Sequence, residues 1–195
     1  MGKLSGKSGR IKIGAIMTIT GVTIANGIAT ITCANILKAG MFVLLKSTTM
    51  TDLNNGNRGL LVTEATSTTF KVALASSQTW GEAGSGTAQR ILPITDWKKS
   101  PKSTSVDVSD SESGEWEERE IAGHKSWTFT YSALLYDGQG DLPIQEKLPV
   151  ELDVDEDNYW GGTAIFESYD VTCKLTDAVQ VTGNASGSGA LTKNS

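Results

Sequence analysis

A chain of 195 residues has room for one domain or two small ones. Hydrophobic content of 38%, with 21 glycines and four prolines, suits a β protein with a modest core and Gly- and Asn-based turns; helix-favouring runs are nearly absent. Residues 1–100 carry 11 Lys/Arg and 4 Asp/Glu, whereas residues 101–195 carry 6 and 18, so the net −5 hides a basic half and an acidic half.

Residues 1–9 are polar and Gly-rich and read as an arm. Arg10 to Ile16 is a short strand. Thr18 to Leu74 reads as a unit of its own, with strands at Thr18–Ile24, Ile28–Cys33, Met41–Lys46, Leu60–Ala65 and Thr69–Leu74. Asn26-Gly27 has the composition of a tight hairpin turn. Gln78 to Ala88 is rich in Gly and Ser and reads as a linker. Ile94–Lys99 and Ser103–Val108 are the next strands, and Pro101 between them predicts a turn or an edge position.

Ser109 to Gly123 is an acidic loop with room for one helical turn at Trp116–Glu120. The alternation Trp127-Thr-Phe129-Thr-Tyr131 has a period of two and predicts a half-buried strand over Lys125–Leu134. Asp141-Leu-Pro143 predicts the start of a short helix, with Asp141 as cap, ending before Pro149. Val150–Val154, Gly162–Leu175 and Ala178–Thr182 close the chain as strands. Cys33 and Cys173 both sit in apolar strand contexts and read as buried free thiols.

Several motifs fail on spacing. Gly2 to Ser8 has three residues between its glycines where a phosphate loop needs four, and no strand precedes it. Asp153 to Asn158 begins like a calcium loop but has Asn158 and Ala164 where Gly and Glu are required. His124, the only histidine, has no partner at metal-ligand spacing, and there is no nucleophile elbow. Acidic residues between Asp110 and Glu120 lack apolar neighbours that would raise a catalytic pKa. Basic residues are spread and do not interleave with aromatics as in a nucleic-acid site. No enzyme activity, cofactor, metal or membrane span is therefore expected. Trp116 stands out, because a large aromatic in a charged loop wants burial on its own sheet or on a neighbour.

Several segments in order resemble the major tail tube protein family of long-tailed bacteriophages. They are Lys3-Leu-Ser-Gly-Lys-Ser-Gly-Arg-Ile-Lys-Ile-Gly14, Ile94-Thr-Asp-Trp97, Val106-Asp-Val-Ser, Ser113-Gly-Glu-Trp116-Glu-Glu and Ile121-Ala-Gly-His-Lys-Ser-Trp127. Tyr159-Trp-Gly-Gly-Thr-Ala-Ile165 and Gly187-Ser-Gly-Ala-Leu-Thr192 complete the set. The resemblance implies a mainly β fold, a tail-tube-type β-sandwich or barrel with one short helix, formed by residues 1–16 and 91–195. Residues 17–90 then form a small inserted all-β barrel or sandwich, expected on the outside of a tube.

The implied function is that of a virion structural protein made in the host cytoplasm. Homo-oligomeric hexameric rings would stack into the tail tube and conduct DNA without binding it specifically, with other tail proteins at the tube ends. Trp97, Trp116 and Trp127 are the candidate subunit-interface residues. The alternative is a β-rich binding module whose inserted unit grips a glycan or host-surface protein, with Trp80 as a stacking platform.

Overall fold

A computed structural model describes residues 10–46, 59–74, 80–82, 85–103, 106–107, 119–120, 125–135, 142–155, 158–173 and 179–194. Among them sixteen strands form and no helix. The first eight are β1 (Arg10–Ile19), β2 (Gly21–Ala25), β3 (Ile28–Thr32), β4 (Phe42–Lys46), β5 (Leu60–Ala65), β6 (Thr69–Ala73), β7 (Trp80–Glu82) and β8 (Gly86–Leu92). They are followed by β9 (Ile94–Ser103), β10 (Val106–Asp107), β11 (Arg119–Glu120), β12 (Lys125–Leu134), β13 (Lys147–Asp153), β14 (Tyr159–Thr172), β15 (Gln180–Gly187) and β16 (Thr192–Asn194).

The strands follow one antiparallel path, β7-β2-β3-β6-β5-β4-β8-β1-β13-β14-β15-β12-β9. β16 adds to β14, and β10 pairs with β11 separately. Two corners fold this path back on its own middle. β1 passes into β2 across Thr20, whose N–H and hydroxyl both donate to the Thr32 carbonyl. β8 passes into β9 across Pro93, which has no N–H to leave unpaired at the corner. Since β1 and β8 pair with each other, each corner returns one end of the path to the centre. The result is two barrel-like cores that share β1 and β8.

One core holds Met17, Ile19, Ile31, Val43, Leu45, Phe70, Val72 and Ala88. The other holds Ile11, Ile13, Leu92, Trp127, Phe129, Tyr131, Leu152 and Phe166. Phe129 meets Phe166 edge to face at 5.8 Å, a geometry worth about 0.5–1.5 kcal/mol beyond the burial itself. Between the cores β1 bulges. The four-residue step from Ile13 to Met17 faces the two-residue step from Arg90 to Ala88, and Gly14 takes φ 77° there, which only glycine adopts freely. On β8, Arg90 lies between Ala88 of one core and Leu92 of the other. Burial lowers the Arg90 pKa, against the opposing pull of the Glu146 charge.

The alternation over 127–133 is explained by the strand beside it. Trp127 and Tyr131 face Gly187 and Gly183 on β15, while Phe129 faces Ala185 and Ala133 faces Val181. Along Trp127, Phe129 and Tyr131, large side chains of β12 lie over small ones of β15, and no Cβ fits at either glycine.

Three sequence expectations change. The linker read over Gln78–Ala88 contains β7 and the first three residues of β8, Gly86 to Ala88. The short helix predicted after Asp141 is not formed over residues 142–148. Leu142 is drawn into the core, Gln145 takes φ 55°, and the Gln145 N–H donates to Phe166 while Glu146 accepts from the Phe166 N–H. Strand pairing thus outweighs a local capping signal. Cys173 is exposed just beyond β14, and only Cys33 is buried, where burial pushes its thiol pKa up. The Asn26-Gly27 turn forms with φ 52° and 75°, the mirror-image turn that a two-residue hairpin requires. Pro101 lies within the long edge strand β9, opposite Trp127.

Candidate functional site

β9 and β12 carry their core-facing side chains beyond the aromatic cluster to the end of the second barrel. There an open groove of about 450 Å³ is lined by Lys99, Pro101, Lys102 and Ser103 from β9, and by Lys125, Ser126 and Trp127 from β12. Trp160 of β14, Leu191 and Lys193 of β16 complete it. Among the described residues, four lysines and no carboxylate line the groove. The Lys99 ammonium sits 3.8 Å from the centre of the Trp160 ring, a cation–π contact. Its pKa is lowered, first by burial and then by the nearby charge of Lys193. The groove is thus electropositive, with two cations crowded at one wall and an aromatic floor.

The candidate tryptophans fall in different places. Trp127 is 4% exposed; its ring lies over Gly162 and Gly187, and its N–H donates to the Gly189 carbonyl at 3.0 Å. Its edge contributes to the groove, but its bulk is core. Trp97 is half-buried, donates to the Asp153 carbonyl at 3.2 Å, and meets Trp160 edge-on at 6.0 Å. Trp116 and His124 lie outside the described residues.

A second polar cluster joins β1 to β13. Register places Arg10 opposite Asp153 and Lys12 opposite Glu151. Arg10 Nε donates to Asp153 Oδ2 at 2.8 Å, while Lys12 Nζ lies 2.7 Å from Glu151 Oε2 and 3.0 Å from Asp153 Oδ2. Gln89 Nε2 lies 3.4 Å from the Gly14 carbonyl at the bulge and 3.5 Å from Glu151 Oε1. Asp153 is 1% exposed, so these pairs are screened little by water. A cleft of about 200 Å³ opens beside Lys12, Gln89, Glu151 and Tyr159. Sequence reasoning placed Asp153 at the head of a failed calcium loop and missed that its charge is matched across strands. The signal was the basic alternation Arg10-Ile-Lys12, which puts two cations on the face opposite Ile11 and Ile13. Within 153–158, Asp155 accepts from the Asn158 backbone and side-chain amides. Among the described residues no cluster of three or more His, Cys, Asp or Glu could hold a metal ion.

No protein-family model and no curated protein matches this sequence. Among solved structures, the chain is similar to one from the virion of a native gene transfer agent (GTA) particle. The TM-score is 0.43 at 17% identity, covering 53% of this chain and 85% of that one. A likeness of that degree does not assign a family.

Proposed function

We propose that this chain is a virion structural protein that assembles into rings stacked as a tail tube. The carrying observation is the overhang of β14. Up to Ile165 the strand is flanked by β13, but residues 168–172 pair with β15 alone among the described residues. The open side of such a strand offers unpaired N–H and C=O groups to a strand of another chain. Val171 on this overhang is 52% exposed, and Ile165 at its root is 40% exposed. A subunit with an open, apolar-flanked edge can add to a neighbour, and a repeated heterologous contact closes into a ring. The tail-tube-like segments supply the ring and tube geometry.

In this reading hexameric rings stack, other tail proteins cap the tube ends, and DNA passes through the lumen without specific contacts. The barrel built mainly from residues 17–90 stands on the tube exterior. The role is structural, not catalytic. Negative-stain electron microscopy of the concentrated protein, with light scattering alongside, tests it. Rings or hollow tubes are expected. A protein that stays monomeric as concentration rises, and that binds a glycan array through its first barrel, would replace this reading with that of an adhesion module.

A further inference from the structure

We propose that the lysine groove at the end of the second barrel seats the acidic run 107–120 of a second copy of this chain; the proposal rests on the self-assembly reading above. The groove brings Lys99, Lys102, Lys125 and Lys193 together with no carboxylate lining it among the described residues. Like charges so placed repel in the isolated chain; the Lys99 pKa is lowered first by burial and then by the Lys193 charge. An incoming anion relieves the repulsion, so the groove gains more from a carboxylate-rich partner than scattered surface lysines would.

The occupant must match both the charge and the floor. Pro101, Leu191, Trp127 and Trp160 add apolar surface to the same lining. Residues 107–120 combine seven carboxylates, one arginine and one tryptophan, Trp116. Carboxylates for the lysines and one large aromatic for the floor are the complement of this lining. The run is the most acidic stretch of a chain whose excess of acid lies entirely in its second half. Its ends are also close to the groove in the chain. β9 ends at Ser103 and β12 begins at Lys125, both lining residues, and β10 pairs with β11 between them. Each copy therefore carries both a donor run and an acceptor groove, so the contact can repeat from copy to copy around a ring.

The test uses the full chain and a fluorescent peptide of residues 105–122, read by anisotropy. The wild-type chain is expected to bind the peptide saturably, more weakly as salt rises. Lys193→Glu, at an exposed position, should weaken binding about tenfold with unchanged melting; Lys99→Glu should weaken it as much while also losing the cation–π contact with Trp160. A peptide carrying Glu117→Lys and Glu118→Lys should recover binding to Lys193→Glu. Equal binding to wild type and both variants would overturn the proposal. So would displacement of the peptide by lower concentrations of oligothymidylate, which would make the groove a phosphodiester site. Binding seen only after the chain's own run is neutralised would make the occupant internal and equally overturn it. Tubes that form without peptide binding would sink the groove and leave the assembly reading standing. Peptide binding with charge-reversal recovery, but no rings or tubes, would do the reverse.

Discussion

Trp127 lies directly over Gly187, with its ring filling the volume that a side chain at Gly187 would need. The same ring crosses Gly162, where an added Cβ would fall 2.8 Å from Trp127 Cζ2. Gly187→Ala must therefore push the indole out of the core or bend β15. It is expected to cost about 1–3 kcal/mol, the range for overpacking a well-filled site. Urea denaturation measures this, and loss of the near-ultraviolet tryptophan signal at unchanged strand content would locate the damage at Trp127.

Tyr131 faces Gly183 in the same way, but its hydroxyl is buried with no hydrogen-bond partner among the described residues. Tyr131→Phe removes an unmatched polar atom and keeps the ring. Stability should hold or rise by up to about 1 kcal/mol. Burial first, and the Tyr169 charge second, push the Tyr131 pKa up to about 12 from an ordinary 10. The unfolded chain releases this proton above pH 10 while the folded chain keeps it until about 12. Stability should thus fall as pH rises through that window, and the fall should be shallower in Tyr131→Phe. Thermal melts at pH 9, 10 and 11 would show the difference.

Two ion pairs should respond very differently to deletion. Asp153→Ala leaves Arg10 and Lys12 buried without their shared carboxylate and should cost about 3–5 kcal/mol. Glu64→Ala breaks the pair with Lys71, in which the glutamate is 69% and the lysine 40% exposed, and should cost under about 1 kcal/mol. Parallel denaturant curves compare them, and equal losses would remove the case for a charge-matched β1–β13 seam.

Val171→Lys places a charge on the open edge of β14. Assembly into rings should be lost while the monomer melts within about 0.5 kcal/mol of wild type, as exposed positions do. Sedimentation velocity reads both the loss of large species and the intact monomer.

The sequence was most legible where one residue type answers one local demand. Asn26-Gly27 fits a positive-φ turn, Pro101 an edge strand, and Trp127 to Ala133 an alternating face. It was least legible where a distant strand decides. Leu142 to Glu146 carries a helix-start signal, yet its partner is Phe166, some twenty residues on. Trp127 reads as an interface residue until Gly162 and Gly187 are brought beneath it. The groove could not be read at all, because its lysines come from β9, β12 and β16, and only the barrel's curl gathers them. Trp97 became legible only through Asp153 and Trp160, contributed by β13 and β14.

β1 and β8 each run unbroken from one core into the other, with the Gly14 bulge and Arg90 at the crossing. A cut after residue 16 or residue 90 therefore severs a hydrogen-bonded ladder instead of a tether. Neither barrel can be loosened without fraying the strands that close the other. Melting should consequently proceed as one cooperative event, with calorimetric and van't Hoff enthalpies in agreement. Pulling on the barrel that holds Phe70 would load the one that holds Phe129 directly, as a beam set into a wall loads the masonry around it.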